Sequence, residues 1–236
     1  QDAGWHPEVQ PDAVRMARTG AGTGADDHHV VGQIRHYFVN QGEDGRTTTI
    51  DQALAANGHE RVIRARLEDG LFFFKEDRKR PLSARCQELH GIVFQNKLGT
   101  MQAKSERITR LAGLLADRIA PDLHDDAVRA AGLAKADLLT AMVGEFPTLQ
   151  GIMGRVYALH DGEKPAIAQA IEEHYLPLRA GGEVPQSLLG AMVGIADRLD
   201  TLVGCFAIGE KPTGNKDAFG LRRQAIGLIR ILRGRN

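Results

Sequence analysis

Along most of this chain apolar residues recur every three or four positions, the spacing that turns one face of an α-helix toward a core. From Lys104 to Ile119 the stripe is Ile108, Leu111, Leu114, Leu115 and Ile119, and Pro121 stops it. Asp125 to Val143 reads as a second helix, and Leu149 to Leu159 as a third that ends at the Asp161-Gly162 turn. Ala166 to Tyr175 is a fourth, closed by Pro177, and Pro185 opens a long apolar helix through Val203. Leu221 to Leu232 predicts a last amphipathic helix bearing Arg222, Arg223 and Arg230, with Arg233 just beyond. Helical character begins near Gly58, with Val62, Leu67 and Leu71 set among alternating charges. Of the consecutive Phe72, Phe73 and Phe74, at most one can face outward, so these rings are predicted core rather than base-stacking platforms.

The first fifty-odd residues follow another pattern. Gly20 to Ala25 is glycine-rich and lacks the Gly-Lys-Ser/Thr ending of a P-loop, so it reads as a linker. Ile34 to Val39 has strand-like residues, followed by a turn signal at Gln41 to Gly45. The expected organisation is a short irregular or β-containing segment over 1–57, then a helical domain over 58–236.

Composition is ordinary for a globular protein, at 42% hydrophobic and 25% charged. Cys86 and Cys205 stand far apart with no partner at metal-ligand spacing. A disulfide framework and a thiolate zinc site are therefore not expected, and a reducing cytoplasm is the expected setting. No apolar run approaches the roughly 20 residues that span a bilayer, so no membrane partner is expected. Net charge is zero but unevenly spread. Glu60 to Arg110 holds twelve Lys or Arg against seven Asp or Glu; Ala120 to Asp200 holds six against twelve; Glu210 to Asn236 holds seven against two. Two basic stretches flanking an acidic one suggest an anionic partner on part of the surface; the plainer reading is a set of solvated helix faces.

Three His-Asp neighbours invite a metal reading: Asp27-His28 with its flanks, His124-Asp125 and His160-Asp161. Adjacent residues on a helix point about 100° apart, so such a pair chelates only with help from other elements. His124-Asp125 is expected at a helix N-cap and His160-Asp161 at a helix end.

A different pattern carries more information. HD phosphohydrolases show a His-Ser-x-x-Val-Ala-x-x-Ala helix, then Leu-His-Asp, then a downstream Ala-Asp; the histidines and aspartates hold a metal that activates water. Lys104-Ser-Glu-Arg-Ile-Thr-Arg-Leu-Ala112 resembles the first element and Ala130-Ala-Gly-Leu-Ala-Lys-Ala-Asp137 the second. Ile195-Ala-Asp-Arg-Leu-Asp200 resembles the last. The resemblance implies an HD-domain-like helical bundle in which Lys104 takes the first His position, Ala134 and Lys135 take the His-Asp pair, and only Asp197 persists. A lysine ammonium has no lone pair to give a cation, so a metal is not expected. His174 is a candidate relic ligand. The rival reading makes Lys104, Lys135 and Asp197 an ion-pair cluster that holds helices together.

Longer stretches are similar to one family. Gly58-His-Glu-Arg-Val-Ile-Arg-Ala-Arg-Leu-Glu-Asp-Gly-Leu-Phe-Phe-Phe-Lys-Glu-Asp77, Val93-Phe-Gln-Asn-Lys-Leu-Gly-Thr100 and Ile208-Gly-Glu-Lys-Pro-Thr-Gly-Asn-Lys-Asp-Ala-Phe-Gly-Leu-Arg-Arg223 resemble segments of the β subunit of the bacterial heterotetrameric glycyl-tRNA synthetase. Ala136 to Gly154 and Ala196 to Gly204 resemble it too. The resemblance implies a ligase subunit that supports tRNA(Gly) binding while a separate α subunit activates glycine with ATP and Mg. No class II synthetase motif is visible, so no catalytic residue and no cofactor is expected in this chain.

Candidate RNA contacts are Arg78-Lys79-Arg80 and the loop with Lys211 and Lys216 that leads into Arg222-Arg223. Arginine forks onto phosphate oxygens, and glycine allows close approach. Internal pairing of Asp217 with Arg222 and Arg223, capping the last helix, is the structural alternative. Two other functions stay open: an HD-type phosphohydrolase on nucleotides or RNA, and a repurposed interaction module.

Overall fold

A computed structural model describes residues 52–179, 181–214 and 216–234. The expectations for the glycine-rich, strand-like and His-Asp stretches before Gln52 lie outside the described residues. Described residues form nine α-helices, four short 3-10 turns and one small hairpin. The chain divides into two compact units, 1–76 and 77–236. Helix α1 (Gln52–Asp77) runs through the expected 57/58 junction without a break. Among its aromatics, Phe74 is buried, Phe73 is half-buried and Phe72 is exposed, as consecutive helical positions require.

The second unit continues with α2 (Leu82–Arg85), a 3-10 turn and the hairpin β1 (Val93–Gln95) and β2 (Gly99–Thr100), paired antiparallel. Thr100 then caps α3 (Met101–Ile119), its side chain accepting from the Ala103 N–H. Helix α4 (His124–Leu133) follows, and α5 (Ala141–Glu145), α6 (Ile152–His160) and α7 (Pro165–Glu173) complete the middle. The long α8 (Leu188–Ala207) is the axis, packing on α3, α4, α7 and α9 (Leu221–Arg233). Ile108, Ala130, Ile171, Met192 and Val193 lie fully buried between these helices.

The expected single helix over Asp125 to Val143 is instead three pieces: α4, a 3-10 turn over Ala136–Leu139, and α5. Two polar side chains at the break explain it. Lys135 leaves helical geometry at φ −111°, ψ 1°, and the buried Asp137 bonds the Gly151 N–H at 2.6 Å, which a straight helix would not allow. Nor does Asp125 cap α4. Leu123 occupies the cap without a side-chain bond, and Asp125 and Asp126 fall in the first turn, where they favour the helix dipole. His124 pairs instead with Asp117 on α3. Asp161 does sit at the C-cap of α6, and its carboxylate accepts from the Leu82 N–H at 2.7 Å.

Asp77 fixes the start of this unit. Its carboxylate accepts from the N–H groups of Ala141 and Met142, both at 2.9 Å, and from the Tyr157 hydroxyl at 3.0 Å, with Arg85 alongside. Close approach of α7 to α8 depends on Gly190, where an added Cβ would meet Glu173 Oε2 at 2.5 Å.

Candidate functional site

Lys104 and Arg107 lie one turn apart on α3, and Asp197, Asp200 and Thr201 line the facing side of α8. Lys135 enters from the break after α4, and His174 from the C-cap of α7. The four elements thus aim their polar groups at one buried point.

Two lysines grip one carboxylate there. Lys104 Nζ stands 2.8 Å from Asp197 Oδ1, and Lys135 Nζ stands 2.8 Å from Oδ2. Lys104 also donates to Asp200 Oδ2 at 3.1 Å and Thr201 Oγ1 at 2.7 Å. Arg107 forks onto Asp200 through Nε at 2.5 Å and Nη2 at 3.2 Å, the bidentate form that adds most geometric definition. Lys135 reaches His174 Nε2 at 2.8 Å, while His174 Nδ1 lies 2.6 Å from the Ile171 carbonyl. One tautomer satisfies both contacts: Nδ1–H donates to the carbonyl and Nε2 accepts from the ammonium. Aromatic faces complete the wall, Phe94 4.6 Å from Lys104 Nζ and Tyr175 4.2 Å from Lys135 Nζ.

Electrostatics follow this geometry. Burial opposes ionisation of Asp197, yet Lys135, Lys104 and His174 hold its carboxyl well below the usual range. Burial, then the nearby ammonium of Lys135, drives His174 well below an ordinary imidazole. Burial also lowers Lys135, against the pull of Asp197. Asp137, two positions beyond Lys135 and fully buried, is pushed up to about 6 by burial, only partly offset by the Gly151 N–H.

The structure thus brings together Lys104, Lys135, Asp197 and His174, and Ala134 lies fully buried beside them. Sequence reading missed Arg107, Asp200, Thr201 and the two aromatic walls. The signal was present: Lys104/Arg107 and Asp197/Asp200 are i, i+3 pairs, one basic and one acidic, so each pair shares a helix face. Among the described residues, no three His, Cys, Asp or Glu side chains gather in a way that could hold a metal ion. A surface groove of about 560 Å³ lies elsewhere, between α3 and α4, lined by Cys86, Glu106, Thr109, Arg110 and His124 among others. None of its lining residues belongs to the buried cluster.

The basic candidates fall in two places. Arg80 is ion-paired to Glu88, and its carbonyl accepts from Arg85. Arg78 and Lys79 precede it, just past the C-terminal end of α1. Lys211, Lys216, Arg222 and Arg223 are exposed on the loop before α9 and on its first turn. Asp217 caps that helix, but through the backbone: its oxygens accept from the N–H groups of Leu221 at 2.6 Å and Arg222 at 3.0 Å. Arg222 Nη1 instead donates to the Gly214 carbonyl at 2.8 Å, locking the loop. The internal alternative therefore holds in part: Asp217 caps the helix through its backbone, and the Arg222 guanidinium fixes the loop through the Gly214 carbonyl rather than through Asp217.

Fold and centre together define a helical domain whose polar heart is filled by its own ion pairs. Its family follows from comparison: the sequence profile of the glycyl-tRNA synthetase beta subunit matches residues 29–236, and the chain belongs to that family. A glycine–tRNA ligase beta subunit from Geobacter sp. (strain M21) is 46% identical over 96% of this chain and 34% of its own length. Those of Trichlorobacter lovleyi and Polaromonas naphthalenivorans are 52% identical over 85% of this chain and 54% identical over 77% of it, 29% and 26% of their own lengths. The chain thus spans between about a quarter and a third of the length of these curated relatives. Among the described residues no helix is long and apolar enough to cross a membrane.

Proposed function

We propose that this chain is the helical, tRNA-engaging part of a glycine–tRNA ligase β subunit, and that aminoacylation proceeds on a separate α subunit supplied with ATP and Mg. Family membership over residues 29–236 carries this reading. In it, the buried Lys104–Lys135–Asp197 cluster is an HD-type centre turned into scaffold, with ammonium groups where the HD pattern calls for metal ligands. This reading assigns no catalytic step to the described residues.

The preferred RNA surface is the loop before α9. Lys211, Lys216, Arg222 and Arg223 are all exposed there, with Arg222 also holding the Gly214 carbonyl, whereas Arg80 in the other cluster is ion-paired to Glu88. Asp217 occupies the first N–H groups of α9, so phosphate would be met by side chains rather than by the helix end. The test is binding of tRNA(Gly) and a non-cognate tRNA over a salt series, with a Lys211, Lys216, Arg222, Arg223 alanine variant. Saturable binding should weaken with salt, and in the variant the log–log slope should flatten by about 0.7–0.9 for each phosphate no longer neutralised. Absence of binding at low salt would leave recognition to other parts of the subunit.

The HD reading has its own test. Lys104→His, Ala134→His and Lys135→Asp together restore the family pattern around Asp197, and such a variant should take up about one Mn2+ per chain. A folded variant binding no more Mn2+ than wild type sinks the HD reading. Stoichiometric Mn or Fe in the wild-type chain would favour a phosphohydrolase instead.

A further inference from the structure

Helix α9 has two faces, and the described residues fill only one. Leu221, Gly227 and Ile231 are buried, with Gly227 set so close to α8 that an added Cβ would meet Arg198 Nε at 2.8 Å. At 100° per residue, Arg222, Ile226, Ile229 and Arg233 fall within about 60° of one another on the opposite side. All four are exposed, Ile226 to 49% and Ile229 to 55%, and Leu232 borders them at 51%. Their i, i+4, i+7, i+11 spacing is the spacing with which a helix meets a second helix.

We propose that this Arg-Ile-Ile-Arg stripe docks an amphipathic protein helix whose apolar ridge is flanked by Asp or Glu. The charge pattern selects the occupant. Residues 221–233 hold four arginines and no acid, and Asp217 is engaged by the backbone of Leu221 and Arg222. A second copy of this chain would set arginines against arginines, so self-association is disfavoured. RNA is a poor occupant for the centre, because isoleucine offers neither a hydrogen bond nor a flat ring for a base. An acidic helix satisfies both components, burying Ile226 and Ile229 and meeting Arg222 and Arg233 at the rim.

The probes are two designed helical peptides identical in their leucine ridge, one flanked by glutamates and the other by lysines, titrated against the whole chain. The Glu-flanked peptide should bind saturably and more weakly as salt rises, and the Lys-flanked one should not. Ile226→Asp with Ile229→Asp should weaken binding roughly tenfold or more with the circular dichroism spectrum unchanged. Arg233→Glu should weaken the Glu-flanked peptide and strengthen the Lys-flanked one, an exchange that misfolding would not give. Equal binding of both peptides, binding of neither, or wild-type dimers abolished by Ile229→Asp would each overturn the proposal.

Discussion

His174 and Asp137 are both fully buried, and they respond to acid in opposite ways. The folded chain holds His174 well below its ordinary value, while the unfolded imidazole titrates near 6.5. Below that pH the unfolded chain takes the proton first, so stability falls as pH drops. Asp137 runs the other way. It titrates at about 6 when folded against 3.8 unfolded, so the folded chain binds the proton first and stability rises as pH drops between those values. Each partly masks the other. Asp137→Asn removes the compensating group, and its unfolding free energy in urea should fall more steeply than wild type between pH 7.5 and 5. An equal pH response in the two proteins would mean that Asp137 does not titrate in this window. Asp197 titrates well below the range and adds nothing to the slope within it.

At the scale of helices, the buried ion pairs behave as a unit. Lys135→Met takes one of the two ammonium groups from Asp197, leaving Lys104, and removes the donor to His174; it should cost about 1–3 kcal/mol in a urea melt. Asp197→Asn with Lys135→Met should cost less than the sum of the single changes, because both remove the same contact. Asp217→Ala uncaps α9 and should lower the urea midpoint and raise amide exchange at Leu221 and Arg222, whose N–H groups lose their acceptor. Much at this scale was legible in the sequence. The stripes of α3, α7, α8 and α9 have a clear period, and prolines and glycines mark their ends. The break after α4 was not legible, because Ala130 to Val143 keeps a helical pattern while Lys135 and Asp137 leave it to reach α8 and Gly151. Propensity is local, and those two bonds join residues 62 and 14 positions apart. The centre was half legible for the same reason: the motif named Lys104, Lys135 and Asp197, but only packing shows Arg107 closing on Asp200.

At the scale of the molecule, α8 is the helix of the second unit against which α3, α4, α7 and α9 all pack. It carries Asp197 and Asp200 toward α3 and sends Arg198 backward. That guanidinium donates to the carbonyls of His174, Tyr175 and Leu176 at 2.7–3.0 Å and so closes the end of α7. Arg198→Met should lower stability and, by loosening the residues that follow α7, raise amide exchange at Tyr175 and Leu176 ahead of the rest of the chain. Uniform exchange across all helices would contradict this. The two lysines at Asp197 supply the countercharge that this buried carboxylate needs. A positive charge carried on a covalent tether cannot be drawn off by a chelator, diluted by scarcity or exchanged for the wrong ion. At this centre the neutralising cation is therefore inherited with the gene rather than acquired from the cell.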